Sequence, residues 1–507
     1  MHDKRCRLQH VGVHFDGIKV FRAFGADQNL PSLHDGNTHA GGTCPHKSQT
    51  HRHTTAMTPT PPLYFPTTSR FVLANASVPA GMVQGLPPDA RLDEEGSARI
   101  DLVIDEGRIA AIYSAHTAPQ GVPQLDLDGR QVWPCFVDMH THLDKGHVIP
   151  RIRPDGTIQG GAAQTVQDFP RWNAQEMALR MEFAIQCAHV HGVSAIRTHL
   201  DSGTLAQSKL SFGVFDQKRS EWSGRVDLQA VAITGINVYL SQQGKELADL
   251  AAKYGGLLGG ATDTLSREVN GTHKELDRAL DRMFELAGER GLDVDLHVDQ
   301  TEDLSAFTIP NIARSKLKTG FKGRVVCGHC VNLSLQPPEV IDSTLALARE
   351  ADLAFVSMPT PMMYLMDRKQ DRTPRWRGVT AAKEMLAAGV PLAVGGDNCR
   401  DAWFPYGDHD MLDTLKQGIR VFQSDEPLTG ALEMSNRVPA ELIGRPDLGK
   451  VATGLPAHLV IFSARTVNVV FCRDQADRIV MKNGRQVTDK LPLHHELAQA
   501  LGIREAK

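Results

Sequence analysis

The sequence lacks a long apolar run, a marked excess of either charge, and a high content of aromatic residues. No stretch of about 18 consecutive apolar residues is present, the length that a membrane-spanning helix needs. The 55 Lys and Arg residues nearly balance the 59 Asp and Glu residues, giving a formal net charge of −4. Without a basic stripe interleaved with aromatic residues, nucleic-acid binding is not expected. The sequence therefore predicts neither a membrane-spanning helix nor a nucleic-acid partner.

Cysteine is also sparse, with eight residues scattered over a chain of 507. Disulfide frameworks are dense in short secreted chains, so these cysteines are expected to be reduced thiols. The N-terminal region also has no apolar segment followed by a small-residue cleavage site, as a secretory signal would. Both features predict a cytoplasmic protein.

The first 56 residues hold eight of the 22 histidines and show no sustained period of 2 or 3.6. A His-rich tract can bind metal, but segments of this composition seldom bury enough apolar surface to fold. We predict that residues 1–69 are a disordered extension or translated upstream sequence, with Met57 as a candidate start of the folded protein.

Short segments of strand character occur near both ends of the folded region. Alternating apolar and polar residues fill 71–75, 99–104 and 108–113, and similar segments at 457–462 and 478–487 include an Asn-Gly turn. Because these segments bracket a long middle region, we predict a small discontinuous, sandwich-like β domain formed by residues 70–133 and 450–490.

The middle region, residues 134–449, alternates buried strands with amphipathic helices. β-Branched runs at 194–198, 226–234, 292–297, 324–327, 353–356 and 392–394 are separated by helical stretches such as 174–189 and 274–290. With a strand before His140 and one near 257–260, eight βα units are present, which predicts an α/β fold of the (β/α)₈ TIM-barrel type. Such barrels carry their chemistry at the C-terminal ends of the strands.

Four metal-binding side chains fall at predicted strand ends. His140 and His142 are two residues apart on a strand and so point to the same face, while His297 and Asp397 end two later strands. Three imidazoles and a carboxylate leave an open position on Zn²⁺ or Fe²⁺ for water. This set predicts a hydrolase with one metal-activated water.

Two further histidines each have two interpretations. His329 ends the next strand and is either a further ligand or an acid/base beside the metal, whereas His199 is either structural or faces the pocket. The region 254–262, near the end of the fourth strand, has no lysine to form the bridging carbamate of a binuclear centre. One divalent ion is therefore predicted.

Several segments resemble cytosine deaminase and its near relatives in the amidohydrolase superfamily. They are FVDMHTHLD (136–144), IRTHLD (196–201), LHVD (296–299), CGH (327–329) and GDNCRDAWFP (396–405). The resemblance extends from about Phe71 to about Val487.

The resemblance implies a role for each matching residue. His329 would stabilise the attacking hydroxide or the oxyanion, Asp397 would also accept a proton from water, and Trp403 would wall the ring pocket. The metal, commonly iron or zinc, would be held by His140, His142, His297 and Asp397.

Three positions depart from the cytosine deaminase pattern. Gln300 stands where those enzymes carry a proton-shuttling Glu, Asn398 replaces a second Asp, and Thr234 begins the segment where a ring-reading Gln is expected. An amide cannot supply a proton near neutral pH. Gln300 is therefore retained as a catalytic-site residue of altered role, and Asn398, Trp403 and His199 as candidate substrate contacts.

Three interpretations of these departures remain open. The chain is a relative that cleaves a cyclic amide or an N-alkyl substituent without releasing ammonia, a deaminase whose shuttle has moved to Glu302 or Asp303, or a ligand-binding barrel with little turnover. All three are consistent with a small nitrogen heterocycle as the ligand, and a homo-oligomer is possible. The function predicted overall is metal-dependent hydrolysis of a C–N bond in or on such a ring.

Overall fold

A computed structural model describes residues 63–267, 273–425 and 428–503. The predicted extension, residues 1–69, lies almost wholly outside these ranges. Its last part is described, and there Leu63 and Phe65 are half-buried against the core of the small β region. Contacts with this β region therefore begin before Arg70, the residue predicted to be its start.

Six strands precede the barrel in the chain. The longest, β1, pairs antiparallel with β3 and parallel with β5, giving a four-stranded sheet in the order β4-β3-β1-β5. The strands are β1 (Arg70–Pro79), β2 (Val83–Gln84), β3 (Ser97–Asp105), β4 (Arg108–Ser114), β5 (Gln124–Asp126) and β6 (Val132–Pro134).

The next eight strands form one parallel sheet in strictly sequential order. They are β7 (Phe136–Thr141), β8 (Val193–Asp201), β9 (Asp227–Ile233), β10 (Leu257–Ala261), β11 (Val294–Val298), β12 (Val325–His329), β13 (Leu353–Ser357) and β14 (Leu392–Val394). The first and last strands meet, since the Asp397 N–H donates to the His140 carbonyl at 2.7 Å and Thr141 Oγ1 donates to the Asp397 carbonyl at 2.9 Å. The predicted (β/α)₈ barrel is confirmed.

Helices follow the barrel strands and cover the outside of the sheet. Side chains of Thr157, Asn173 and Thr204 cap the first three helices by accepting backbone N–H groups. The helices are α1 (Ile158–Asp168), α2 (Ala174–Val190), α3 (Leu205–Glu221), α4 (Gln242–Lys253), α5 (Lys274–Arg290), α6 (Ile309–Thr319), α7 (Pro338–Glu350), α8 (Pro359–Leu365), α9 (Ala382–Ala387), α10 (Met411–Phe422), α11 (Leu428–Ala431), α12 (Arg437–Leu442), α13 (Val467–Cys472) and α14 (His494–Ala500). Within the described ranges, no helix is long and apolar enough to cross a membrane.

The last strands return to those at the start of the chain. They are β15 (Val451–Ala452), β16 (Leu459–Ile461), β17 (Ile479–Lys482) and β18 (Arg485–Gln486). Strand β16 pairs antiparallel with both β6 and β17, and β15 pairs with β2. Residues from both ends, including Phe71, Leu73, Leu459 and Met481, share one apolar cluster. A β region is therefore built from both ends of the chain, and the exact ranges 70–133 and 450–490 stay a prediction.

Candidate metal centre and substrate cavity

Four predicted ligands converge at the C-terminal mouth of the barrel. His142 Nε2 lies 3.2 Å from Asp397 Oδ1 and 3.4 Å from His297 Nε2, and His140 Nε2 lies 3.7 Å from the same carboxylate oxygen. All four side chains are buried, His297 being the most exposed at 8%. The structure brings together residues that are as much as 257 positions apart in the chain, from 140 to 397.

Local packing explains how His140 fits into this crowded position. A Cβ atom on Gly395 would lie 2.8 Å from His140 Cβ, and one on Gly328 would lie 3.2 Å from the His140 ring. Glycine at both positions therefore leaves room for the imidazole. Asp138 Oδ1 accepts the backbone N–H groups of His140 and Gly396, which joins the two strand ends that carry ligands.

The polar atoms of the cluster have few protein partners. His142 Nδ1 lies 3.0 Å from the His199 carbonyl, so it donates there and leaves Nε2 with a lone pair. Both nitrogens of His140 and both carboxylate oxygens of Asp397 are buried without a hydrogen-bond partner in the described chain. Unpaired buried groups are costly, and this donor set suits Zn²⁺ or Fe²⁺. The residues present therefore fit a divalent metal ion.

Burial also sets the protonation of the ligands. It lowers the pKa of His297 to about 3 and the pKa values of His140 and His142 well below the usual range, so the imidazoles are neutral. Burial raises the pKa of Asp397 to about 8. A cation beside that carboxylate acts in the opposite direction, because it favours the charged form.

His329 and His199 occupy different positions around the cluster. The His329 ring lies 4.9 Å from the His297 ring between centroids, and neither of its nitrogens has a hydrogen-bond partner in the described chain. His199 stacks on His140 at 3.9 Å, with its Nε2 3.6 Å from Asp295 Oδ1. His329 thus borders the open mouth, whereas His199 lies behind His140.

A cavity of about 330 Å³ opens beside the cluster. His142, His297 and His329 contribute to its wall, as do the predicted residues Gln300, Asn398 and Trp403; His199 is not among the described residues that line it. The volume lies near the lower end of the roughly 300–1,000 Å³ of small-molecule sites.

Two of these wall residues are held in fixed orientations. Trp403 Nε1 donates to the Ile158 carbonyl at 3.1 Å, and the indole ring occupies the space where Gly161 has no side chain. Asn398 Nδ2 donates to Asp401 Oδ2 at 2.6 Å, so its Oδ1 is directed away from that bond. The cavity wall therefore includes an oriented amide and a fixed indole, with Lys145 Nζ 4.1 Å from the indole centroid.

Further polar residues on the wall include Lys145, Asp201, Thr234 and Asp263. Of these four, only Thr234 was singled out from the sequence. Thr234 Oγ1 is buried without a hydrogen-bond partner in the described residues, and burial raises the pKa of Asp201. Asp201 ends β8 and Asp263 follows β10. Both could therefore have been found from the sequence by the same signal as the metal ligands, namely their position at the C-terminal end of a barrel strand.

The two residues suggested as replacements for the missing Glu lie elsewhere. Glu302 is exposed and pairs with Lys369 at 3.1 Å, and Asp303 accepts hydrogen bonds from Ser305. Neither is among the described residues that line the cavity. The carboxylates on its wall are Asp201 and Asp263, at the ends of other strands.

A (β/α)₈ barrel with imidazole and carboxylate donors at its strand ends defines a metal-dependent barrel hydrolase. The profile of the amidohydrolase family matches residues 221–488, and the chain belongs to this family.

Individual relatives extend this likeness over most of the chain. A pterin deaminase of Rhizobium rhizogenes is 40% identical over 440 residues, which cover 86% of this chain and 98% of that protein. An N-isopropylammelide isopropyl amidohydrolase of Pseudomonas sp. is 27% identical over 381 residues, covering 71% and 87%. The crystal structure of 5-methylcytosine deaminase from Klebsiella pneumoniae with 5-fluorocytosine superposes with a TM-score of 0.70 at 23% identity, covering 83% and 98%.

Family membership confirms the predicted enzyme class. The protein is a metal-dependent hydrolase that acts on carbon–nitrogen bonds in or on a nitrogen heterocycle.

Proposed function

We propose that the protein removes the exocyclic amino group of a pterin, a fused ring bearing a 2-amino-4-oxo pyrimidine, by hydrolysis. The observation that carries this proposal is the 40% identity to a pterin deaminase over 98% of that protein's length. The cavity is consistent with it, because its wall combines the Trp403 indole and Lys145 with polar side chains that can hydrogen-bond the edge of a heterocycle.

One divalent ion, zinc or iron, would be held by His140, His142, His297 and Asp397. When bound, such an ion supplies Lewis acidity that makes water nucleophilic near neutral pH. Asp397 would accept a proton from the attacking water and pass it to the leaving nitrogen. His329 faces the same space with unpaired nitrogens and would stabilise the charge that develops on oxygen.

The remaining residues would position the ring and supply its proton. Water adds to the carbon that bears the amino group and the C–O bond forms. The C–N bond then breaks and ammonia leaves, and the hydroxyl proton that is lost as the ring carbonyl forms would return to Asp201. Gln300 and Asn398 would hydrogen-bond the ring edge without exchanging a proton. Asp201, whose pKa is raised by burial, would protonate the ring nitrogen during addition.

The Gln at position 300 supports a second candidate, hydrolysis of an N-alkyl or cyclic amide bond without ammonia release. Such a reaction does not need the Glu shuttle, and the relative from Pseudomonas sp. is named as an amidohydrolase that acts on an N-isopropyl group.

We also propose that the enzyme acts in the cytoplasm. In support, the six cysteines within the described residues are free thiols.

The test compares products rather than rates alone. The metal-loaded full chain is incubated separately with pterin, a 6-substituted pterin, cytosine and an N-isopropylamino triazine, and ammonia and product masses are measured. Equal amounts of ammonia and a dioxo ring product from the pterins are expected. Isopropylamine from the triazine with no ammonia from any substrate would overturn the proposal in favour of N-alkyl hydrolysis. Tight ring binding without any product would instead indicate a binding protein.

A further inference from the structure

A second cluster of metal-binding side chains lies outside the set of four ligands. His147, Cys399 and His409 are 2%, 4% and 7% exposed, and their ligand atoms all lie within 4.8 Å of one another. His147 Nε2 is 3.0 Å from His409 Nε2, and His147 Nδ1 has no hydrogen-bond partner in the described chain. Two imidazoles and a thiol thus meet in a buried space.

Two loops bring these residues together. His147 lies in the loop after β7, whereas Cys399 and His409 both lie in the loop between β14 and α10. The backbones of the two loops are joined, because the His147 N–H donates to the Cys399 carbonyl at 3.2 Å. His147 and His409 have φ values of 61° and 55°, which are uncommon for residues other than glycine. Their backbones are therefore held in strained but defined positions.

The geometry and chemistry suit zinc. Two nitrogens bound to one tetrahedral ion at Zn–N distances of about 2.0–2.1 Å are roughly 3.3 Å apart, close to the separation of the two Nε2 atoms. Burial lowers the pKa of His409 to about 4 and that of His147 well below its usual range, so both rings are neutral. Neutral imidazole and Cys sulfur are the ligands of structural zinc sites.

Solvent can reach the cluster from one side. A cavity of about 430 Å³ is lined by Cys399 and His409, together with Asp408 and His191, which pair at 3.0 Å. The cavity can supply water as a fourth ligand. The three members of the cluster, two imidazoles and a thiol, do not form an ion pair with one another.

We propose that His147, Cys399 and His409 bind a second metal ion, zinc, which fastens the loop carrying Asn398, Asp401 and Trp403 to the loop after His142. Nothing in this proposal depends on the substrate. The ion acts structurally, at a site distinct from the four ligands at the barrel mouth.

Metal binding by the full chain tests the proposal directly. Metal-free wild type and the Cys399→Ser/His409→Asn variant are reconstituted with Zn²⁺, and bound metal per chain is measured after dialysis. The variant is expected to hold one ion fewer, while the His-rich N-terminal segment contributes equally to both proteins. With Co²⁺ as probe, Cys399→Ser should abolish a thiolate-to-cobalt absorption band, and the exposed Cys472→Ser control should retain it. Equal metal content and no band dependent on Cys399 would overturn the proposal.

A measurement on unaltered protein guards against misfolding of the variants. Crystals of the wild type grown with Zn²⁺ are expected to show an anomalous peak among His147, Cys399 and His409 in addition to the peak at the barrel mouth. A peak at the barrel mouth alone would show that the two histidines share a hydrogen bond instead of an ion.

Discussion

The barrel buries charged and ionisable groups at two levels, and the levels differ in how these groups are partnered. One layer below His297 on β11, Asp295 Oδ2 accepts from Arg197 at 2.8 Å, and Arg197 also donates to Gln229 Oε1 at 2.7 Å and to the Leu442 carbonyl at 3.0 Å. At the mouth, Asp397 and His140 have no hydrogen-bond partner in the described chain. At the lower level the Arg197 guanidinium balances the Asp295 carboxylate, although Asp295 Oδ1 has no hydrogen-bond partner in the described chain, whereas the upper level requires a ligand.

This difference separates stability from function within one barrel. A buried ion pair that loses one partner leaves an uncompensated charge, which is strongly destabilising. The unpaired ligand atoms at the mouth are costly in the metal-free protein, and a bound ion would satisfy them. Substitutions at the two levels should therefore affect different measurements.

The largest expected effect is on turnover, from removing a ligand at the mouth. His297→Ala or Asp397→Ala should remove the mouth metal and reduce kcat/KM by more than the roughly 10–100-fold caused by loss of an outer contact. The thermal stability of the metal-free variant should be no lower than that of metal-free wild type. Metal analysis, steady-state kinetics and circular dichroism check this, and a variant that kept both metal and activity would contradict the assigned site.

The next largest effect is on folding, from unpairing the lower level. Arg197→Met should lower the free energy of unfolding by about 3–5 kcal/mol, because Asp295 is left buried without its cation. Urea unfolding of the metal-free protein measures this loss. The matched double variant Arg197→Met/Asp295→Leu should recover part of it; a single variant as stable as wild type would remove the distinction between the two levels.

A smaller effect is expected from the proposed proton donor on the cavity wall. Asp201→Asn should reduce kcat for pterin about 10²-fold, the lower part of the usual range for general acid catalysis, with metal content unchanged. Asp263→Asn is the matched control, because that carboxyl is on the same wall and its pKa is also raised by burial, but its side chain is more exposed than that of Asp201. An equal loss in both variants would show that wall charge, not proton transfer, is responsible.

The smallest effect is a change of substrate preference at position 300. Gln300→Glu places a carboxylate on the cavity wall and should raise ammonia release from cytosine severalfold, because it restores a group that can shuttle a proton. Glu302→Gln should leave the profile unchanged, since Glu302 pairs with Lys369 away from the cavity. An unaltered profile for Gln300→Glu would mean that position 300 does not face the ring.

The barrel and its four converging side chains were predictable from sequence because strand periodicity and strand-end position carry that information. His140, His142, His297 and Asp397 each lie at or beside the end of a buried apolar segment. The family resemblance added the roles proposed for His329 and Trp403. The resemblance also directed attention to Gln300, which does line the cavity.

The remaining features depend on three-dimensional relationships that spacing does not encode. Glu302 and Asp303 are close to Gln300 in the chain, yet Asp201 and Asp263 reach the cavity from other strands. Whether the His199 side chain faces the cavity depends on its packing against His140 and Asp295, which the sequence does not show. The cluster of His147, Cys399 and His409 arises from the conformations of two loops, which have no sequence period.

The β region built from both ends of the chain has a consequence during synthesis. Val132 in β6 pairs with Ile461 in β16, 329 residues later in the chain (461 − 132). At a synthesis rate of 5–20 residues per second, β6 waits roughly 15–65 s for its partner to leave the ribosome. Throughout that time the barrel can assemble strand by strand, whereas the N-terminal sheet exposes an apolar face. A nascent chain stalled before residue 459 would therefore present this face to chaperones and proteases.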